Sequence, residues 1–100
     1  MEAMSHMRQK RKRIRRHMLS VIQRNRCVIC GGLFRTGTPT LEHVVPRVHG
    51  GKQAGNLLLS HAPCNTKRGD AKPTGCMLVM LAAANAHLPR MMAEIGRPLT

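Results

Sequence analysis

The chain has no tryptophan, no tyrosine and a single phenylalanine, Phe34. Stacking of bases on aromatic rings is the usual grip on single-stranded nucleic acid, and this chain lacks the side chains for it. Acids are almost as scarce: four Asp/Glu stand against seventeen Lys/Arg, giving a formal net charge of +13 and a pI near 11.6. Such a field disfavours a basic partner and favours a polyanion. Nine of the seventeen cations, with one acid, lie in residues 1–26. No uninterrupted run approaches the ~20 apolar residues that span a bilayer. The basic start leads only into the short apolar run Met18-Leu19-Ser20-Val21-Ile22, so neither a secretory signal nor a membrane partner is expected.

Disulfide chemistry is also poorly provided for. Of four cysteines, Cys27 and Cys30 form one CxxC pair, Cys64 closes His61-x-x-Cys64, and Cys76 stands apart. Thirty residues separate Cys30 from His61. Two short ligand pairs at the ends of an intervening segment are how a tetrahedral ion clamps two loops, so Cys27, Cys30, His61 and Cys64 read as a zinc site. That usage fits a reducing, cytoplasmic setting. The pattern occupies 44 residues of a 100-residue, one-domain chain. A segment so short rarely buries enough apolar surface to fold without a metal or a disulfide.

Taken in order, residues 1–7 read as a disordered lead or tag remnant, and 8–26 as a basic helix. Ile14, Met18, Val21 and Ile22 make one apolar stripe on it, while Arg8, Lys10, Arg11, Lys12, Arg13, Arg15 and Arg16 cover the remaining faces. Those cations suit phosphate contacts, or else a solubilising tail. Leu41 to Val45 alternates as a strand ended by Pro46; a glycine-rich loop follows, and Asn56 to Ser60 returns as a second strand. Ala62-Pro63 opens a short helix that Gly69 stops. Residues 71–100 read as a linker and apolar helices, with Thr74 as cap, Cys76 to Ala86 as one helix and Pro89 interrupting before Met91. Cys76 is expected to be a buried small hydrophobe. The apolar helix either packs on the core or offers a surface to a homodimer or protein partner.

Glu42-His43-x-x-Pro46, then Gly50-Gly51, Asn56-Leu57 and His61-x-x-Cys64-Asn65-x-Lys67 together resemble the HNH endonucleases, over roughly residues 27–70. The resemblance implies an α+β chain built on a small ββα-metal (His-Me finger) core with structural zinc, flanked by the basic helix and the C-terminal helices. It implies a metal-dependent DNA endonuclease that leaves 5′-phosphate and 3′-hydroxyl ends, nicking as a monomer and cutting both strands as a dimer. His43 would then be the general base, Glu42 and Asn65 would hold a catalytic Mg²⁺ or Mn²⁺, and Asn56 would pin the loop and orient His43. Duplex DNA would be held through its phosphates, with Arg47, Lys52, Lys67 and Arg68 joining the helix cations. Small free-standing proteins of this kind are encoded by phages and mobile elements, which would put this one in a host-cell cytoplasm.

Two points stay open at this stage. Neighbouring strand residues face opposite ways, so Glu42 and His43 reach one ion only if the strand is bulged or the ion lies at the sheet edge. His61, read as a zinc ligand, has a rival role as a ligand of the catalytic ion. The alternative function is a zinc-stabilised DNA-binding module without catalysis; a CxxC redox protein would leave His61-x-x-Cys64 and the basic arm unexplained.

Overall fold

The computed structural model describes residues 2–35 and 37–95. Its elements run α1 (Glu2–Ile22), β1 (Thr40–His43), a 3-10 turn (Arg47–His49), β2 (Leu57–Ser60), α2 (Ala62–Arg68) and α3 (Gly75–Ile95). The protein is a small α+β chain: an antiparallel hairpin crossed by α2, with the two long helices packed together and against β2. The register pairs Thr40 with Ser60, Leu41 with Leu59, Glu42 with Leu58 and His43 with Leu57.

A four-residue hairpin is marginal alone, and its stability comes from what covers it. Leu58 and Leu59 are fully buried with Leu19 of α1, Val44, and Met77 and Ala84 of α3. The outer edge of β2 is not left open. The Gln23 side chain imitates a strand there: Nε2 donates to the Leu59 carbonyl at 2.9 Å, and Oε1 accepts from the Leu59 amide at 2.7 Å. Val28 N donates to the same carbonyl at 3.1 Å. A buried glutamine thus removes the pairing hazard of an exposed edge.

Several sequence expectations are corrected. Helix α1 reaches back to Glu2, into the stretch expected to be a disordered lead, where Glu, Ala and Met are strong helix formers. Val21, expected on the apolar stripe, is more than half exposed, and Leu19, left out of that stripe, is fully buried. The helix ends in two left-handed residues, Arg24 and Asn25 at φ 55° and 57°, a geometry asparagine tolerates. The chain then turns into the segment that carries Cys27. Pro89 does not interrupt α3, which continues to Ile95 because Leu88 stays packed against the core on the inner face. Cys76 is exposed, since it stands one residue before the buried Met77 and so faces outward.

Helix α3 is also less covered than its composition demands, with Leu78 and Val79 on the outside, Val79 at 72% exposure. By length and composition Gly75–Glu94 is apolar enough to cross a bilayer, at a mean hydropathy of 1.2. Counting uninterrupted apolar runs missed this because Asn85, His87 and Arg90 break the run, while the residues around them keep the average at that value. In the fold, α3 lies along α1, and Asn85 Nδ2 donates to the Gly55 carbonyl at 2.8 Å, tying the helix to the loop before β2.

Candidate active site and metal centre

Cys27 and Cys30 lie on a knuckle closed by an Arg26–Leu33 bridge and by the Cys27 amide donating to Gly32 O at 2.8 Å. His61 caps the start of α2 and Cys64 lies in its first turn. The hairpin brings the two pairs together, so that the three sulfurs and one imidazole nitrogen all lie within 4.8 Å of one another. His61 Nδ1 is 3.3 Å from Cys30 Sγ and 3.7 Å from Cys64 Sγ. A zinc tetrahedron with bonds of about 2.3 Å to sulfur and 2.05 Å to nitrogen has an N···S edge of about 3.6 Å, between those two values.

The surroundings suit thiolates and a fixed imidazole. Backbone N–H groups of Ile29 and His61 donate to Cys27 Sγ at 3.4 Å each, and Gly32 N donates to Cys30 Sγ at 3.3 Å. The Gly32 bond holds the Cys30 thiol below its ordinary range. Burial, with Cys30 and Cys27 alongside, pushes Cys64 up to about 11. Three thiolates cannot share so small a space without a cation, and a divalent ion supplies one. His61 Nε2 is 3.0 Å from the Leu33 carbonyl. Donating there leaves Nδ1 unprotonated on the sulfur side, the outer bond that ligating histidines commonly make. Phe34 meets the His61 ring edge-on at 4.9 Å, so the lone aromatic supports the knuckle. The four residues can hold zinc, and with all four positions protein-filled the site is closed, which is the structural type.

The second site begins one residue further along α2, at Asn65. Glu42, His43 and Asn65 line one cleft of about 310 Å³ together with Leu41, Pro46, Arg47, Gly69 and Asp70. Strand β1 ends at His43, and the chain bends at Val44 and Val45. The guanidinium of Arg68 marks that break: it donates to the His43 carbonyl at 3.3 Å and also to the Val44 carbonyl. Successive carbonyls of regular extended chain would not meet one group. The strand-end departure is thus how adjacent Glu42 and His43 reach the same cleft.

Glu42 is 3% exposed. Its Oε1 accepts from Arg68 Nη1 at 2.5 Å, while Oε2 is buried with no hydrogen-bond partner among the described residues. A buried carboxylate oxygen without a donor is costly unless something fills the role. A hard cation fits it: Asn65 adds an amide oxygen in the same cleft, and Mg²⁺ commonly takes only one or two protein oxygens. Arg68 corrects the sequence reading, which placed it among the phosphate contacts. Only 7% of its side chain is exposed; Nη1 donates to Glu42 and His43 and Nη2 to Val44 and Ala71, while the buried Nε has no partner among the described residues.

Asn56 is buried and bonds both ends of the loop. Its Oδ1 accepts from Val45 N at 2.9 Å, and its Nδ2 donates to the carbonyls of Val45 and Lys52, both at 2.8 Å. Gly51 lets the loop close, because a Cβ there would overlap the Val45 carbonyl oxygen. The His43 ring itself meets a residue that sequence reasoning missed: His43 Nε2 is 3.0 Å from Gln53 Oε1. An amide oxygen accepts, so Nε2 carries the proton and Nδ1 keeps the lone pair. Asp70 on the cleft wall was also missed, and His49 Nε2, 2.9 Å from the Asp70 carbonyl, ties that segment to the 3-10 turn.

Of the expected phosphate contacts, Arg8, Lys10, Arg11, Lys12, Arg13, Arg47, Lys52 and Lys67 are exposed, while Arg15 and Arg16 are half-buried along α1.

A family model described as HNH endonuclease matches residues 27–71. No curated protein and no solved structure matches the chain.

Proposed function

We propose, from the match of residues 27–71 to the HNH endonuclease family, that the protein hydrolyses phosphodiester bonds of duplex DNA. The observation that carries this reading is the cleft lined by Glu42, His43 and Asn65, together with a Glu42 carboxylate whose Oε2 has no partner among the described residues. His43 accepts a proton on Nδ1 from the attacking water, because Gln53 occupies Nε2. The Glu42 carboxylate and the Asn65 amide oxygen would hold a divalent cation, Mg²⁺ or Mn²⁺. When bound, that cation neutralises charge gathering on the scissile phosphate and on the departing 3′ oxygen. Asn56 and Gly51 fix the loop between His43 and Gln53, so the imidazole meets the phosphate in one orientation. Exposed cations of α1, with Arg47, Lys52 and Lys67, hold the duplex through its backbone.

A zinc-stabilised DNA-binding module without catalysis is the second reading, favoured by one feature: Arg68 already occupies one oxygen of Glu42. Supercoiled plasmid separates the two. With Mg²⁺ or Mn²⁺ the endonuclease reading gives nicked circles from the wild type and none from His43→Ala, which still retards DNA on a gel. Binding without nicking at any divalent metal leaves the module.

A further inference from the structure

Arg68 is deeply placed for a cation, and the function above gives it no task. It spans from the end of α2 to Glu42, His43 and Val44, the consecutive residues where β1 ends. Burying such a pair is often no better than neutral for stability, so stability alone is a poor account of it. Building on the cleft as the cation site, we propose that Arg68 makes cation binding conditional on a bound phosphodiester.

The argument is one of charge. Glu42 and Asp70 bring two negative charges to the cleft, and Arg68 behind Glu42 with Arg47 on the wall bring two positive ones. Asn65 adds none. A divalent ion therefore enters a cleft with no net negative charge, and on Oε2 it stands across one carboxylate from the guanidinium on Oε1. A double charge about 5 Å from a single one costs at least about tenfold in affinity even at the dielectric constant of water. A phosphodiester in the cleft supplies the missing negative charge and two further oxygens for the ion. Cation and DNA then raise each other's affinity by the same factor, as linkage requires. Before DNA arrives, Arg68 is the counterion of Glu42 and keeps the buried acid in place.

The test is a Mn²⁺ titration of zinc-loaded His43→Ala protein, followed by the paramagnetic resonance signal of free Mn²⁺, with and without a short duplex. The Glu42→Gln, His43→Ala protein with the same duplex gives the background of ions held by DNA itself. Mn²⁺ binding at least tenfold tighter with duplex is expected. Adding Arg68→Gln should tighten duplex-free binding about tenfold and shrink the response to DNA. Equal Mn²⁺ affinity with and without duplex overturns the proposal, as does an Arg68→Gln protein that binds Mn²⁺ no tighter than its parent. Should Arg68→Gln fail to fold, equal affinity with and without duplex at intact Arg68 still overturns the proposal. Binding that depends on Glu42 but not on DNA sinks only the role given to Arg68. Mn²⁺ binding indifferent to Glu42 in every arm removes the cation site and the endonuclease reading with it.

Discussion

Replacing Asn56 tests the loop that carries the site. Its side chain makes three hydrogen bonds, one accepted from Val45 N and two donated to the carbonyls of Val45 and Lys52, in a buried position. At a net contribution of about 1 kcal/mol each, with the abandoned backbone groups left short of partners, Asn56→Ala should cost about 2–4 kcal/mol. For a domain of this size that corresponds to a fall in Tm of roughly 10–25 °C. Asn56→Asp sharpens the test. The shape is unchanged and Val45 N keeps an acceptor, but two carbonyl oxygens at 2.8 Å now face a carboxylate with no hydrogen to offer. Aspartate should therefore be worse than alanine at neutral pH, although it looks the more conservative change. Urea unfolding of zinc-loaded protein, read by circular dichroism, gives both values. An Asn56→Ala cost under about 0.5 kcal/mol, or Asn56→Asp milder than Asn56→Ala, would refute the pinning argument.

Chelation of zinc, or Cys30→Ser, should unfold residues 27–71 and not merely slow the protein, since structural zinc contributes about 10–16 kcal/mol, as much as a whole small domain's stability. Loss of far-UV signal on chelation, recovered by added Zn²⁺, is the expected reading. Leu19→Ala should cost about 2–5 kcal/mol by denaturant titration, because Leu19 is fully buried where α1 meets the hairpin. In zinc-loaded protein one thiol, the exposed Cys76, should alkylate quickly, as mass spectrometry of peptides would verify; rapid labelling of Cys30 would contradict zinc ligation. Affinity for random duplex should fall with salt at a log–log slope of about −0.9 per phosphate neutralised. Changing Lys10, Arg11, Lys12 and Arg13 to Gln should flatten it.

Part of the site was legible because its residues are constrained by chemistry at fixed spacing. CxxC and HxxC pairs have few uses, so the Cys/His cluster and the hairpin–helix order could be read directly. The supporting shell was not. An arginine three residues after Asn65 looks like surface charge until the hairpin is folded. One clue was available: Asn65 and Arg68 share a face of α2, and a buried acid needs a partner. Gln53 and Gln23 act through contacts ten and thirty-six residues away in sequence, which no local pattern encodes. Pro89 misled because helix propensity is local, whereas α3 is held by its packing on α1 and the core.

The most direct measurement is chemical rescue of His43. Zinc-loaded His43→Ala, bound to supercoiled plasmid with Mn²⁺ present, should not nick on its own and should regain nicking as imidazole is added, saturably and without a change in DNA affinity. Nicking by the variant at the wild-type rate, or no response to imidazole from a folded, DNA-bound variant, would contradict a catalytic imidazole in this cleft.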